Sequence, residues 1–402
     1  MKDATKNLRL LVIVHEASRS GAPLICLYFL RWLRRNINCP VDILLLHGGE
    51  LESDFAEVGH IRKIPWYISK SWRMPSMLGW LMPRARLSLL RFIRHKLIRF
   101  ITGDTRRSNQ YDLVLCSSIG SIWSLPSVVA EDTPVVLWIH ELEFAMHSVS
   151  QTTGMMGDCF RSAQGIVACS RAVRDNLVEN YGVNAKNIDV IPTFIDPPDY
   201  SGSVPIDDIP ENSFVVMAVA WLQWRKGPDL FFRMIRRLPS VIDGREVHAV
   251  WIGGDHGDGL LEEMRDRANI TGFGDRLHFT GHLKNPTPLL NRADVFVLTS
   301  REDPYPLVLI EAGLAELPIV AFSGTGGAEE FLADQTGILV PYGDSAAMAE
   351  AVESLLRDPQ LASAYARRAN EKAQLHLTDN AAGHMFDVCV VMASSRAPIG
   401  YY

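Results

Sequence analysis

Short apolar runs that recur along the whole chain constrain its fold more than any other feature. In the first half they read LRLLVIV (8–14), VDILLL (41–46), DLVLC (112–116), PVVLWI (134–139), GIVAC (165–169) and IDVI (188–191). In the second half they read SFVVMAV (213–219), VHAVWI (247–252), RLHFT (276–280), DVFVL (294–298), PIVAF (318–322) and GILV (337–340). Runs this short and this rich in Val, Ile and Leu, mostly without polar alternation, predict strands buried on both faces. Several intervening stretches have helical spacing. In SRAVRDNLVENYG, Val173, Leu177 and Tyr181 share a face and Gly182 sits where a left-handed cap belongs. PDLFFRMIRRL (228–238) and DSAAMAEAVESLLRD (344–358) read the same way.

The alternation occurs twice. Between the two series lies IPTFIDPPDYSGSVPIDDIPENS (191–213), dense in Pro, Asp and Ser, which is linker chemistry. The expectation is α/β throughout, with two doubly wound, Rossmann-like parallel-sheet domains facing each other across a cleft. Their expected bounds are 1–197 and 198–385, with a segment 386–402 that packs back on the first domain. A chain of 402 residues, 47% hydrophobic and 21% charged, is long enough to build both cores.

Charge narrows the partners. The net charge of −6 is too mild for nucleic acid to be the main one. Residues 1–200 carry 23 Lys and Arg against 19 Asp and Glu, whereas residues 201–402 carry 17 against 27. The basic half suits an acidic partner such as a phospholipid, a lipid diphosphate or a nucleotide phosphate. Six scattered cysteines without metal-ligand spacing imply a reducing compartment, hence the cytoplasm. The N-terminal apolar stretch ends at His15 and Glu16, too soon for a signal peptide, and no uncharged apolar stretch is long enough to span a membrane.

Several motifs are absent: the phosphate-binding G-x-x-x-x-G-K-[ST], a G-x-G-x-x-G after the first strand, the G-x-S-x-G nucleophile elbow and any D-x-D pair. Loops after strands remain, where open α/β sheets hold ligands. HEASRSGAP (15–23) places Gly21 at a helix start, where backbone N–H groups can approach phosphate, although a plain strand-to-helix turn explains it too. WLQWRKGPDLFF (221–232) sets Arg225 and Lys226 beside Gly227 and Pro228; it reads equally as a diphosphate cradle and as a solvated basic turn. His140, in WIHELEF, stands at the end of a buried strand, placed to orient a hydroxyl or simply to bond a core carbonyl. SREDPYPLVLIEAG (300–313) follows another strand with Glu302 and Asp303 in a proline turn and Glu311 in the helix beyond. SGTGGAEEFL (323–332) adds Gly326 and Gly327 before a helix, with Glu330 in its first turn.

Taken in order, these pieces resemble the retaining, GT-B-fold glycosyltransferases of family 4. DPYPLVLIE stands for the family's two acids eight apart, AGLAELPIVA for its A-x-G-x-P-V-V-A and GGAEE for its G-G-x-x-E. VACSRAVRDNLVENYGVNAKNIDVIPTFID (167–196), WIGG, LHFTGHLKN and NRADVFVLTS add to the likeness, which covers nearly all of the second half and patches of the first. The first acid is Asp303 rather than Glu, with Glu302 beside it as a substitute. Trp221 stands where many members carry an Arg, and Arg225 is the neighbouring charge.

The resemblance implies a nucleotide-sugar donor, UDP- or GDP-linked, as substrate, with no cofactor and no metal. Lys226, with Arg225, would hold its diphosphate and Glu311 its ribose. Asp303 would contact the transferred sugar, Leu283 would lie near the base and Gly21 near the phosphates. Glu302, Gly326, Gly327 and Glu330 complete the donor side, and His140 lines the acceptor side. The implied reaction is front-face transfer to a saccharide or lipid-linked acceptor in cell-surface glycan biosynthesis. A non-catalytic nucleotide-sugar-binding partner of another transferase, or an epimerase on the same fold, are the alternatives. RARLSLLRFIRHKLIRFITGDTRR (84–107) aligns Leu87, Leu90, Ile93, Leu97 and Ile101 on one helical face, with arginines on the rest. It suits either an anionic membrane surface on the cytoplasmic side or packing against the first sheet.

Overall fold

The computed structural model describes residues 8–64, 110–130, 132–153, 156–202 and 209–394; the basic stretch 84–107 lies outside the described residues. The chain forms two compact units, Met1–Pro192 with Ala381–Tyr402, and Thr193–Asn380. The divisions fall five residues ahead of the boundaries expected at 197 and 385.

In the first unit the apolar runs become β1 (Leu10–Val14), β2 (Val41–Leu45), β4 (Leu113–Ser117), β5 (Val135–Ile139), β6 (Gly165–Ala168) and β7 (Ile188–Val190). One strand has no apolar run: β3 (His60–Lys63), whose four residues are exposed or half-buried. It pairs only with β2 at the edge of the sheet, where charged side chains reach water and a hydrophobic signature is not needed. The strands pair in parallel in the order β3-β2-β1-β4-β5-β6-β7. The order reverses between β1 and β4, so the loops leaving these two strands open a crevice at the carboxyl edge. All five residues of β1, of β4 and of β5 are buried, as parallel strands covered on both faces require.

The second unit repeats the plan with β8 (Phe214–Val219), β9 (Val241–Ile242), β10 (Arg245–Ile252), β11 (Leu277–Gly281), β12 (Val295–Leu298), β13 (Ile319–Phe322) and β14 (Ile338–Val340). The parallel order is β11-β10-β8-β12-β13-β14, with β9 pairing antiparallel to β10. Phe231 and Trp251 meet edge-to-face at 5.4 Å in its core, beside Met348 and Val352 of the helix Ser345–Arg357. Asp344 caps that helix by accepting from the N–H groups of Ala346 and Ala347.

The last helix, Thr378–Ser394, passes from the second unit into the first. Phe386 packs 6.0 Å from Trp32, and Met392 lies so close to β6 that a Cβ on Gly165 would meet its Cε at 3.0 Å. The strand and helix positions were legible because apolar runs and caps are local; this return of the chain is a long-range packing event. All six cysteines are buried, and none forms a disulfide. Among the described residues, no helix is long and apolar enough to cross a membrane.

Candidate functional site

The predicted residues divide between the two units. In the second unit, β8 ends at Val219 and a 3-10 turn, Trp224–Lys226, follows. Gly227 adopts φ 70° and starts the helix Pro228–Ile235 with proline at its first position. A side chain at Gly227 is excluded twice, by φ and by space, since its Cβ would lie 2.1 Å from the Thr299 carbonyl oxygen. This turn is fastened to the loop after β12. Thr299 Oγ1 donates to the Lys226 carbonyl at 3.1 Å, and Arg301 N to the Arg225 carbonyl at 2.7 Å. Arg301 also clamps Asp229 through both carboxylate oxygens (2.9 and 2.8 Å) and lies 4.7 Å over the Trp224 ring.

At the centre of this frame Lys226 Nζ forms an ion pair and hydrogen bond with Asp303 Oδ2. Both side chains are largely withdrawn from water, at 17% and 7% exposure. Burial holds the Lys226 amine below its ordinary pKa, while Asp303 pulls the other way. Ser300 Oγ donates to the same Asp303 oxygen at 3.3 Å. Asp303 is further fixed through its backbone. Its N–H donates to the Thr325 carbonyl at 2.7 Å, and its own carbonyl accepts from Gly327 N at 3.0 Å. Gly327 must be small, because a Cβ there would lie 2.4 Å from the Pro304 carbonyl. Gly326 is at φ 120° and bridges to Asp303. Of the two adjacent acids, Asp303 is therefore the one paired with Lys226, whereas Glu302 offers its backbone carbonyl to Arg225 Nη1 at 2.7 Å.

Glu311 stands in the second turn of the helix Leu307–Leu314, half-buried, with its carbonyl accepting from the Tyr200 hydroxyl at 2.6 Å. Burial, and then the charge of Glu311, raise the Tyr200 hydroxyl pKa. Glu330 lies half-buried in the first turn of Ala328–Leu332. Leu283 is half-buried two residues past β11, whose last residue, Gly281, pairs with Gly253. The loops after β8 and β10 are tied there by the Leu222 N–H donating to the Gly254 carbonyl at 2.8 Å.

Sequence reasoning missed the aromatic face of this region. Trp221 stacks on His256 (4.8 Å, 14° between planes) and on His282 (5.4 Å, 15°), and Gln223 Nε2 lies 2.9 Å from His256 Nε2. Where the resemblance calls for a guanidinium, this chain has a ring stack. No local periodicity marks it, since the three rings come from three loops.

The first unit carries the other two predicted residues, at the carboxyl edge of its sheet. Gly21 opens the helix Gly21–Asn36, exposed, with open space where a Cβ would be; Ser20, its N-cap, makes no capping side-chain bond. His140 directly follows β5. It is 8% exposed, 4.8 Å from the Trp138 ring, and both ring nitrogens are buried with no hydrogen-bond partner among the described residues. Burial, with a smaller contribution from His15, drives its pKa down to about 3. A neutral imidazole with two unused polar atoms, at the edge where α/β sheets bind ligands, is equipped to bond a substrate hydroxyl. Among the described residues, the His140 ring bonds no core carbonyl.

His15 and Glu16, next to β1, and Ser118 and Glu141, beside β4 and β5, were not singled out by sequence. His15 Nε2 lies 3.6 Å from Glu16 Oε1, and the imidazole, burial opposing, helps lower the Glu16 pKa to about 2.

Residues 213–358 match the family model described as Glycosyl transferases group 1, and residues 19–198 match Glycosyltransferase Family 4. A glycogen synthase of Mycobacterium tuberculosis is 29% identical over 252 residues, 60% of this chain and 59% of that protein. A D-inositol 3-phosphate glycosyltransferase of Xylanimonas cellulosilytica is 28% identical over 251 residues, 59% of each. The match thus spans less than two thirds of these relatives. A crystal structure of Anabaena Alr3699/HepE in complex with UDP and glucose superposes with a TM-score of 0.74 at 19% identity, covering 96% of this chain and all of that one. Two parallel-sheet units and this likeness make the fold GT-B.

Proposed function

Because the chain belongs to the group 1, family 4 glycosyltransferases, we propose that it transfers a sugar from a nucleotide-sugar donor to a saccharide or lipid-linked acceptor, with retention at the anomeric carbon. The observation that carries this reading is Lys226, held largely out of water on Asp303 immediately before the helix that starts at Pro228. A fixed ammonium next to a helix N-terminus suits a departing diphosphate, since charge and dipole act together. The UDP and glucose in the Anabaena structure support a UDP-sugar as donor.

In the proposed reaction the bond from the anomeric carbon to the diphosphate oxygen breaks. The acceptor hydroxyl oxygen bonds to that carbon from the same face, and its proton passes to the leaving phosphate. Lys226 and Arg225 stabilise the growing phosphate charge, so fixed side-chain cations serve where other transferases use a metal. Asp303 meets the hydroxyls of the transferred sugar, Glu311 the ribose, and the Gly326–Gly327 turn lets backbone approach the donor. On the first unit, His140 bonds a sugar hydroxyl as a neutral imidazole.

The test is a thermal-shift screen against UDP-, GDP-, ADP- and dTDP-sugars, followed by turnover of the Lys226→Gln variant. Gln keeps a donor for Asp303 while removing the charge. Turnover should fall by roughly 10²–10³-fold, as when a group stabilising transition-state charge is lost. Near-normal turnover in that variant would remove Lys226 from the diphosphate role.

A further inference from the structure

Resting on that reading of His140, we infer that Glu141 is a positioning residue: its carboxylate ties the loop after β4 to the loop after β5 and so fixes where the His140 imidazole stands. Glu141 Oε2 accepts from the His140 N–H at 2.9 Å and from the Ile119 N–H at 3.1 Å. Its other oxygen, Oε1, accepts from the Ser118 hydroxyl. One carboxylate thus gathers three donors from two loops that are distant in sequence.

Ser118 shows that the tie holds the backbone where it would not otherwise rest. It is not glycine, yet it adopts φ 75° and ψ 143°, a region that side chains avoid. Such a conformation persists only where the surroundings over-determine it, and here they do. The Ser118 N–H donates to the Trp138 carbonyl at 2.8 Å, and its hydroxyl accepts from Gly120 N at 3.1 Å while donating to Glu141. The bend brings Gly120 against His15, where a Cβ would lie 3.3 Å from the His15 Cβ. His15, against that bend, and His140 each have a buried ring nitrogen unpartnered among the described residues, and His15 is near enough for its charge to act on His140. With no hydrogen bond to its ring among the described residues, His140 is positioned by packing, including the Trp138 face, and by its backbone. Glu141 supplies the backbone half of that constraint.

Three variants of the full chain test this: Glu141→Ala, Glu141→Gln and Ser118→Ala. The ring nitrogens of His140 are followed by NMR from pH 7.5 to pH 5, the signal being assigned from the His140→Gln spectrum. In the wild type the imidazole should stay neutral across that range. Glu141→Ala releases both loops and admits water, so the ring should begin to protonate between pH 5 and 6.5. Release of UDP from UDP-glucose should fall at least tenfold, since a shift of about 1 Å in a positioned group costs up to roughly a hundredfold. Glu141→Gln, whose amide can still accept from both N–H groups, should restore titration and turnover, and Ser118→Ala should fall between. A folded Glu141→Ala protein in which His140 titrates as in the wild type would overturn the inference. If the wild type released no UDP from UDP-glucose, that result would count against glycosyl transfer from this donor; the titration of His140 would still decide the role of Glu141.

Discussion

At the residue scale, two buried groups carry opposite demands. His140 is buried neutral and Lys226 is buried as half of an ion pair. For His140 the folded-state pKa, about 3, lies below the ordinary 6.5. Above pH 6.5 neither state binds the proton, so the group has no pH effect. As pH falls below 6.5 the unfolded chain takes the proton and the folded one does not, so stability declines down to about pH 3. The slope is about 1.4 kcal/mol per pH unit, or roughly 2 kcal/mol between pH 6.5 and 5. Urea unfolding at pH 7 and pH 5 should show that extra loss in the wild type and not in His140→Gln. Equal losses in both would show that His140 is not held neutral. For Lys226 the choice of replacement decides what is measured. Alanine leaves Asp303 buried without its countercharge, with only the Ser300 hydroxyl on that oxygen, at about 3–5 kcal/mol, whereas glutamine isolates the loss of charge. Lys226→Ala should accordingly lose both stability and turnover, and Lys226→Gln chiefly turnover.

The element that matters most is the turn between β8 and the helix Pro228–Ile235, because it aims Lys226. Gly227 offers a clean test, with Gly244 as its control. Both have positive φ, 70° and 79°, but Gly244 has nothing within 4 Å of its would-be Cβ, while Gly227 would strike the Thr299 carbonyl. Gly244→Ala should cost about 1 kcal/mol from backbone strain alone. Gly227→Ala should cost at least about 2 kcal/mol more, since backbone must move to admit the methyl. It should also weaken the thermal shift given by UDP, because displacing Thr299 moves the carbonyl of Lys226 bonded to it. Equal costs at the two glycines would mean that the turn yields without strain. Much of this element was legible: the Gly-Pro pair, the basic dipeptide and the apolar helix were all local. The Arg301–Asp229 clamp and the Trp221–His256–His282 stack were not, since each joins residues far apart in sequence.

For the whole molecule, two units each with its own sheet and core should unfold with separable transitions rather than as one two-state system. UDP, bound by the second unit in the proposed reading, should raise the transition of that unit by RT ln(1 + [L]/Kd), about 2.7 kcal/mol at a hundredfold excess over Kd. Calorimetry with and without UDP checks this, and a variant destabilised in the first sheet identifies which transition belongs to which unit. A shift confined to the first unit's transition would place the nucleotide elsewhere.

Glu302 and Asp303 show where local information ends in this protein. The apolar runs determined the strands, since a segment buried on both faces can be satisfied by Val, Ile and Leu wherever its neighbours lie. The turn glycines and prolines determined where helices begin, because φ is a property of one residue. Which of two adjacent carboxylates faces Lys226 was not written in SREDPYP. It is decided by the Asp303 backbone bonding to Thr325 and Gly327 across the loop, which turns that side chain inward onto the amine. In the same way, HEL named His140 and Glu141 as neighbours, but only the fold brings the loop of Ser118 and Ile119 to the carboxylate. Sequence fixes conformations that cost or gain energy within a few residues; pairing of buried charges is decided by whatever the tertiary structure places within hydrogen-bond reach.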